Sequence, residues 1–350
     1  MKVGCGMIYL YLGIAFSIMS ILEIFSKDRY LKIYLFYSLV LFLIFFAGLR
    51  DGASVGTDSP AYYQFYLTEN PAVEVGYKVI NDFFSSMSID YNIFLLCLNF
   101  LLLFNISKFI KLNSSYLLFP LFIYYSDFYF YFNFSGIRQA TALSFTALSI
   151  FYIFNDKKLI ASLLILIASL FHVTALVFFI AFFLPKEKID IKKYFKFLFF
   201  VGLAFLIGEY IINSVPYLSG KFLYYTTVQE QADDIVNSYF IGAVRRLFVL
   251  IGVILIYKNF FNDNKNIYLY NIYLVGFLIY LLSYLISPEF GVRLGAYFTI
   301  IDCVLIARYI QFSRSLTNKL VIFIFFALIA IYKIYTYTQI PAFEYKLLVL

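Results

Sequence analysis

The stretch LKIYLFYSLVLFLIFFAGLRDGASVGTDSPAYYQFY, residues 31–66, contains both features that decide the fold. Its first half, residues 31–48, is a nearly unbroken apolar run that is long enough to cross a bilayer as a helix. Its second half begins with Arg50 and Asp51 and is polar, Gly-rich and then Tyr-rich. We therefore interpret residues 49–66 as the loop that carries chemistry, and the apolar helices as its scaffold.

The rest of the chain repeats the apolar half of this pattern. Of its 350 residues, 63% are hydrophobic and 13% are charged, and the mean hydropathy is +0.87. Backbone within lipid must satisfy its own hydrogen bonds, so only helices or a closed barrel can span a membrane. The apolar runs are continuous and not alternating. We therefore predict an all-α, polytopic integral membrane protein, organised as one domain over residues 1–350, with about 11–12 membrane helices.

The positions of the lysines predict the topology, because short basic loops stay in the cytoplasm. The short loops at 26–32, 108–111, 155–158, 185–193, 258–265 and 311–319 all contain lysine. Keeping them inside places the N-terminus outside, together with two longer loops at about 50–90 and 214–238. The predicted spans are residues 7–25, 31–49, 91–110, 115–133, 136–154, 159–184, 194–213, 239–257, 267–286, 292–310 and 320–337.

One apolar segment, residues 159–184, fits this topology only if the chain crosses back within it. A single crossing would place the four lysines of residues 185–193 outside. The segment divides at Phe171-His172-Val173-Thr174, and each half forms about 20 Å of helix, less than the bilayer core of about 30 Å. We predict a short re-entrant or split hairpin that turns near His172 on the outer side. The alternative is one long tilted helix with the N-terminus inside.

The arginines do not follow the lysines. Arg50, Arg138, Arg245, Arg246 and Arg293 all fall at predicted outer ends of spans. A planar guanidinium binds phosphate or carboxylate bidentately, so these residues are candidate anion ligands. Snorkelling to lipid head groups is the alternative for Arg138, and one of Arg245 and Arg246 is expected to face a cavity while the other snorkels.

Arg138 and Gln139 fall in the first turn of a predicted helix, where Ser135 is the candidate N-cap. A cation in a first turn opposes the helix dipole unless it and the free N–H groups together hold an anion. This placement indicates a phosphate or carboxylate site.

Further candidates lie in the loop and in the split segment. In Val55-Gly56-Thr57-Asp58 the glycine permits a positive φ, and Asp58 can cap the turn or the following helix. An ordinary surface loop would show the same pattern. His172 is the only histidine, and it lies in an apolar run where a titratable group is costly. Structural and functional roles for His172 stay equally open.

Several chemistries find no support in the sequence. It contains no P-loop, Rossmann fingerprint, H-E-x-x-H motif, nucleophile elbow or carboxylate cluster, so we expect no metal and no cofactor. Cys5, Cys97 and Cys303 are isolated and are interpreted as small apolar residues. The net charge of +7 is explained by the topology and does not indicate nucleic acid. The first apolar segment has no cleavage site after its core and is expected to be retained.

Four short motifs occur in a fixed order along the chain. They are Arg50 with Val55-Gly56-Thr57-Asp58 and Tyr62, then Glu74-Val75-Gly76-Tyr77, then Ile137-Arg138-Gln139-Ala140, and finally Phe171-His172-Val173-Thr174-Ala175-Leu176. In order and spacing they resemble the EpsG-like family of Wzy-type bacterial polysaccharide polymerases. The C-terminal third matches only by hydropathy and its arginines, and Ile340-Pro341-Ala342-Phe343 replaces the usual Pro-Tyr.

The resemblance implies a glycosyltransferase of the bacterial plasma membrane with a site that faces outward. Such an enzyme joins oligosaccharide repeat units carried on undecaprenyl pyrophosphate, in O-antigen, capsule or exopolysaccharide pathways. The implied partners are the donor and acceptor lipid-linked oligosaccharides, the lipid bilayer, and a chain-length regulator and a flippase of the same pathway.

The resemblance also suggests roles for the candidate residues. Arg50, Arg138, Arg245 and Arg293 would hold the pyrophosphate leaving group and stabilise its developing charge. His172 or Asp58 would accept the proton of the acceptor hydroxyl, and His172 is slightly preferred for its pKa. The remaining candidates would bind substrate: Gly56, Thr57, Tyr62, Gln139 and Arg246. Membrane anchoring is an equally good interpretation of Tyr62.

Other functions share these features. A flippase or transporter of lipid-linked oligosaccharide would more often show two pseudo-symmetric halves and charges at mid-membrane. A glycan ligase differs from a polymerase only in its acceptor and stays open. A membrane acyltransferase would be expected to contain more histidines.

Overall fold

The computed structural model describes residues 4–68, 73–188, 235–284 and 287–347, together with Phe199 and Gly202. These residues form helices and no β-strand, and their one isolated bridge is antiparallel, between Arg50 and Leu347. The predicted all-α class is therefore confirmed.

The α-helices are numbered here in chain order. They are α1 (Gly4–Phe25), α2 (Arg29–Gly48), α3 (Ser59–Leu67), α4 (Val75–Ser86), α5 (Tyr91–Asn113), α6 (Leu118–Tyr124), α7 (Ile137–Phe154), α8 (Lys158–Phe171), α9 (Ile235–Ile251), α10 (Tyr257–Phe260), α11 (Asn264–Tyr284), α12 (Pro288–Thr299), α13 (Asp302–Phe312) and α14 (Leu316–Thr338). A π-helix spans Tyr125–Ser135, and 3₁₀ helices span Val173–Phe183, Gly252–Ile256 and Pro341–Phe343.

Seven helices of the described residues are long and apolar enough to cross a bilayer. An eighth crossing results if α12 and α13 form one broken span. The multi-pass membrane architecture is therefore confirmed. The predicted span 194–213 lies outside the described residues apart from Phe199 and Gly202, as does most of the predicted loop 214–238.

Four predicted spans have an interrupted backbone, and one of them, residues 239–257, becomes α9, a 3₁₀ helix and the start of α10. Residues 115–133 become α6 followed by the π-helix, and residues 292–310 become α12 and α13. Residues 159–184 become α8 and a 3₁₀ helix, and the break falls at His172 as predicted. The return of the chain across the membrane after His172 stays a prediction.

Contacts divide the chain into two compact units. Unit 1 comprises Met1–Ala181 and Ile300–Leu350, and unit 2 comprises Phe182–Thr299. The expectation of a single polytopic domain stays a prediction.

The helices of unit 1 connect two chemically different ends. At the first, here called the Lys end, the helix ends and the connections between them contain Lys27, Lys108, Lys111, Lys157, Lys158 and Lys319. The second, here called the loop end, is where α2, α8 and α14 finish and where α5 and α7 begin. It also contains α3 and α4. Most lysines of unit 1 therefore lie away from the candidate loop, as the topology argument requires, whereas Lys78 in α4 and Lys346 belong to the loop end.

A buried carboxylate stabilises the Lys end. Glu23 accepts hydrogen bonds from the amides of Leu117, Leu118 and Phe119, at 2.6, 3.0 and 3.2 Å. These are otherwise unsatisfied donors at the start of α6, and a negative charge there complements the helix dipole. Glu23 therefore has a structural role that sequence reasoning did not identify.

The π-helix is held from four sides, and this fixes its register. Its side chains bond to α1, α2 and α5, and it makes an ion pair with α14. The contacts are Tyr125 Oη to Tyr9 O at 3.1 Å, Tyr129 Oη to Leu43 O at 2.6 Å, Asn133 Nδ2 to Asn99 Oδ1 at 3.0 Å, and Lys333 Nζ to Asp127 Oδ1 at 3.1 Å. Because buried polar groups are costly when unpaired, these bonds stabilise the π-helix against the four helices around it.

Candidate active site at the loop end

The turn after α2 is built around Arg50, whose residue surface is 1% exposed. Nε donates to Val55 O at 3.2 Å, Nη2 donates to Phe134 O at 3.0 Å, and Nη1 donates to Ala47 O. The guanidinium carbon also lies 4.7 Å from the centroid of the Phe134 ring. Burial lowers the pKa of Arg50. All three acceptors of this side chain are backbone carbonyls, so Arg50 caps the end of α2 and shapes the turn.

Gly56 allows this turn to pack tightly on the end of the π-helix. Its φ is +119°, and a Cβ added there would lie 2.2 Å from Phe134 O. The Ser59 hydroxyl donates to the same carbonyl at 2.8 Å and to Val55 O at 2.7 Å. Gly56 is therefore required by both backbone conformation and close approach. Its predicted place in substrate binding is untested.

The predicted helix-capping roles of Ser135 and Asp58 are wrong, and the other alternative for Asp58, a cap of the turn, stays a prediction. Gly136, not Ser135, holds the N-cap position of α7, and Ser135 Oγ instead accepts a hydrogen bond from Thr57 N at 2.9 Å. Asp58 lies at the N-cap position of α3 but makes no capping hydrogen bond, because its backbone is already helical (φ −96°, ψ −4°). An effective N-cap usually has an extended backbone. The Thr57 hydroxyl donates to the Asp58 carboxylate at 3.3 Å.

The C-terminal segment completes the turn. Gly56 N donates to Ala342 O at 2.7 Å, and Asp51 N donates to Lys346 O at 2.8 Å. The segment 340–343, which departs from the expected family pattern, therefore packs on the candidate loop. These contacts join residues almost 300 positions apart, and no local pattern predicts them.

Arg138, in the first turn of α7, is the centre of a second group of side chains at the loop end. Its Nη1 pairs with the Glu74 carboxylate, and the two side chains are 18% and 8% exposed. Its Nε donates to the Tyr62 hydroxyl at 3.2 Å. The guanidinium carbon lies 5.4 and 5.9 Å from the ring centroids of Tyr62 and Tyr77. Arg138, Glu74, Tyr62 and Tyr77 are called the Arg138 cluster below.

Tyr77 contributes a buried hydroxyl to this cluster. The residue is fully buried, and its hydroxyl has no hydrogen-bond partner among the described residues. Burial, followed by the nearby phenols of Tyr91 and Tyr62, raises the pKa of Tyr77 well above its usual value. The hydroxyl therefore stays protonated at neutral pH. A buried donor without a partner is costly, and a bound ligand would relieve that cost.

Helix α4 connects the Arg138 cluster to the break at His172. A Cβ added at Gly76 would lie 2.8 Å from both Cβ and O of Leu170, so α4 touches the last turn of α8. His172 follows two residues later, is buried, and has its Nδ1 2.5 Å from Thr174 Oγ1. The structure thus brings the Glu74 motif into contact with both the Arg138 motif and the helix that ends at the His172 motif.

Three candidate arginines belong to unit 2. Arg246 is buried, with its guanidinium carbon 3.7 Å from the centroid of the Tyr280 ring and Nη1 donating to Gly242 O at 3.0 Å. Arg245 is only half-buried, so Arg246 is the member of the pair that faces protein. Arg293 pairs with Glu289, one turn earlier in α12. A site shared by these arginines and those of unit 1 stays a prediction.

A family model described as the EpsG family matches residues 33–348 of the chain. The chain belongs to the EpsG family. This membership confirms the resemblance carried by the four motifs and makes the chain a membrane protein of polysaccharide biosynthesis. Comparisons with curated proteins and with solved structures find no match.

Within this EpsG-family chain, the structure groups some predicted site residues and separates others. Arg138 contacts Tyr62, and the Arg50 turn, with Gly56 and Thr57, packs on the segment just before α7. Gln139 is buried in α7. Among the described residues no group of three or more His, Cys, Asp or Glu side chains is placed to hold a metal ion.

Glu74 is the site residue that sequence reasoning missed. Glu74 belongs to one of the four motifs of the sequence analysis, but the sequence suggested no role for it. An acidic residue directly before an amphipathic helix, in a chain with few charges, was the available signal. Its partner, Arg138, is 64 residues away, so only the tertiary structure could identify the pair.

Proposed function

We propose that this chain is a polysaccharide polymerase, a glycosyltransferase that acts on the outer face of the bacterial plasma membrane. It joins repeat units carried on undecaprenyl pyrophosphate by moving the donor glycan to a hydroxyl of a second lipid-linked unit. EpsG-family membership supports this proposal. The Arg138 cluster is the observation that carries it, because it pairs a largely buried cation with a donor hydroxyl and two aromatic rings.

Charge segregation in unit 1 supports the outward orientation. Most lysines of unit 1 lie at the Lys end, which the positive-inside rule assigns to the cytoplasm. The Arg138 cluster and the Arg50 turn belong to the opposite end. A lipid-linked diphosphate presented at the outer surface would meet this end first.

We assign Arg138 to the diphosphate leaving group. In the reaction, the bond between the anomeric carbon and the phosphate oxygen breaks, and that carbon bonds to the acceptor oxygen. The bonding electrons leave with the diphosphate, whose negative charge increases. A guanidinium can bind phosphate oxygens bidentately and stabilise this charge in the transition state. Glu74 orients the guanidinium before substrate binds and then shares it with the more highly charged diphosphate.

The other candidates have supporting roles in this mechanism. His172 or Asp58 accepts the proton released by the acceptor hydroxyl. Arg50 positions the turn that carries Gly56, Thr57 and Asp58. A direct displacement without a covalent intermediate inverts the anomeric centre. Arginine supplies the charge stabilisation in this mechanism, so we expect full activity in the presence of a metal chelator.

Further residues and partners complete the proposal. Tyr62 and Gln139 contribute to substrate binding beside Arg138. Arg245, Arg246 and Arg293 are proposed as additional anion ligands from unit 2. A chain-length regulator and a flippase of the same pathway are the proposed protein partners.

The test is a glycan ladder from cells that lack this gene and are complemented at matched membrane levels. Wild type should restore a ladder of polymer lengths, whereas Arg138→Ala should leave single repeat units. Loss of one such charge-stabilising donor costs roughly 10²–10³ in rate. Arg29→Ala is the matched control, because Arg29 is exposed at the Lys end and its removal should leave the ladder unchanged.

Each other result has a definite meaning. Full-length chains with Arg138→Ala would remove Arg138 from the mechanism. If gene loss leaves no repeat units on the outer face, the chain is a transporter of lipid-linked oligosaccharide. If polymer still forms without the gene but stays on its lipid carrier, the chain is a ligase.

A further inference from the structure

One face of α4 is apolar and uncovered, although α4 belongs to a loop and not to a span. Val75, Val79 and Phe83 follow one another at intervals of four residues, which places them on one side of the helix. Met87, the C-cap residue, continues the row. These four side chains, here called the α4 stripe, belong to residues that are 53–67% exposed.

The opposite face of α4 is fixed to the protein, so the stripe cannot turn inward. Tyr77 and Asn81 are buried. Asn81 Nδ2 donates to Phe65 O at 3.0 Å, and Ser85 Oγ donates to Tyr66 O at 2.9 Å. These bonds lock α4 against α3 in a single orientation.

Polar groups lie beside the stripe and not within it. Lys78 Nζ and Asp82 Oδ2 form an ion pair at 2.8 Å, and both side chains are partly exposed. The α4 stripe is thus bordered by a neutral pair that can reach water or lipid head groups.

The position of α4 brings the stripe to the level where membrane spans end. Its first turn touches Leu170 in the last turn of α8, through Gly76. Its C-terminal end leads to Asp90, which caps the start of α5 by accepting from Asn92 N at 2.8 Å. Helix α4 is about 18 Å long and lies at the loop ends of α8 and α5.

The exposed face of α8 continues the same apolar surface. Leu163, Leu166 and Leu170 are each about half exposed, on a helix whose sequence is almost entirely apolar. In a membrane protein such a face contacts lipid chains. The contact between Gly76 and Leu170 joins this lipid-facing surface to the start of the α4 stripe.

We propose that α4 is an interfacial helix whose stripe is seated in bilayer lipid, at the boundary between head groups and acyl chains of the outer leaflet. A fixed amphipathic helix with an exposed apolar row and a polar border has the properties of such a helix. If the polymerase proposal also holds, Glu74, the residue just before α4, and Arg138 lie at the depth of lipid head-group phosphates, where the substrate diphosphate is presented.

Tryptophan fluorescence tests this directly, because the native chain contains no tryptophan. Phe83→Trp and Val79→Trp each create a single fluorophore at a position that is already exposed. The purified chains are placed in proteoliposomes made with lipids brominated near the head-group end or near the methyl end of the acyl chain. Excitation at a wavelength that tyrosine does not absorb isolates the new residue.

Two matched variants calibrate the result. Leu166→Trp, on the exposed face of α8, should be quenched by bromines deeper in the acyl chain. Gln64→Trp, at an exposed polar position of α3, should be quenched by aqueous iodide.

The proposal predicts a blue-shifted emission for Phe83→Trp and Val79→Trp, with strong quenching by the shallow bromines. Quenching by iodide to the extent seen with Gln64→Trp, without bromolipid quenching, would overturn it. Protection from both quenchers would also overturn it, because the stripe would then be covered by protein. No glycan enters this measurement, so its failure would leave the polymerase proposal untouched.

Discussion

Arg50 and Arg138 occupy the same end of unit 1 but have opposite environments. Arg50 donates to three backbone carbonyls and is sealed under the Phe134 ring. Arg138 pairs with a carboxylate and a tyrosine hydroxyl, and part of its side chain reaches the surface. From the sequence alone, both arginines were candidate ligands of the pyrophosphate leaving group.

The difference shows that an arginine placed against the charge bias can serve structure or chemistry, and that its acceptors decide which. The three backbone carbonyls that accept from Arg50 cannot separate from it unless the turn unfolds. The Glu74 carboxylate can be displaced from Arg138 by a stronger anion. The comparison therefore predicts a stability phenotype for Arg50 and an activity phenotype for Arg138.

The largest expected effect is the loss of Arg50. In Arg50→Ala, three buried carbonyls lose the guanidinium as donor, and only the Ser59 hydroxyl remains for Val55 O and Phe134 O. A buried carbonyl left without a donor costs about 1–3 kcal/mol. The protein should fail to accumulate, or should melt at a much lower temperature in detergent. Arg29→Ala should melt like wild type. If the Arg50→Ala protein is stable and lacks only activity, Arg50 is a ligand of the diphosphate, as proposed for Arg138.

The second prediction separates stability from activity within the Glu74–Arg138 pair. Arg138→Ala removes the cationic partner of a mostly buried carboxylate, so it should lower the melting temperature as well as stop polymerisation. Introducing Glu74→Gln into the Arg138→Ala variant should recover about 1–3 kcal/mol of the free energy of unfolding that Arg138→Ala loses.

Activity should not return in the double variant, because the guanidinium is still absent. The measurements are thermal unfolding in detergent and the glycan ladder, on both single variants and the double variant. Recovery of the ladder together with stability would show that Arg138 acts only as a structural partner of Glu74.

A smaller effect is expected at Gly56, where the turn that contains Arg50 packs on the end of the π-helix. In Gly56→Ala, the new Cβ must adopt a positive φ and would lie 2.2 Å from Phe134 O. We expect a destabilisation of about 1–3 kcal/mol, measured as a lower melting temperature.

Gly136→Ala is the matched control, because Gly136 has a negative φ and its nearest neighbouring atom would be 3.6 Å away. Equal melting temperatures for the two variants would contradict the tight packing of the turn on the π-helix.

The smallest effect on stability is expected for Tyr77→Phe. This change removes a buried hydroxyl without a partner among the described residues, so the melting temperature should stay the same or rise slightly. Polymerisation should slow by about tenfold if substrate accepts a hydrogen bond from this hydroxyl. Wild-type activity would mean that Tyr77 contributes only its ring to the Arg138 cluster.

Local patterns predicted much of this molecule. Continuous apolar runs indicated the membrane helices, and lysine placement separated the two ends. The break at His172 followed from the conflict between one crossing and four lysines. By contrast, the π-helix was not predicted, because its backbone depends on bonds to four other helices. The helix-capping roles predicted for Ser135 and Asp58 were wrong, because the Ser135 hydroxyl accepts from Thr57 N and the backbone of Asp58 is already helical.

By itself, the sequence determined the class, the segregation of charge and the family, since each depends on composition or on short runs of residues. The tertiary structure decided which arginine is a structural cap and which is a site, because the deciding acceptors are distant in the chain. Phe134 lies 84 residues from Arg50, and Glu74 lies 64 residues from Arg138. A guanidinium looks the same in sequence whatever it binds, and only its neighbours in space define its chemistry.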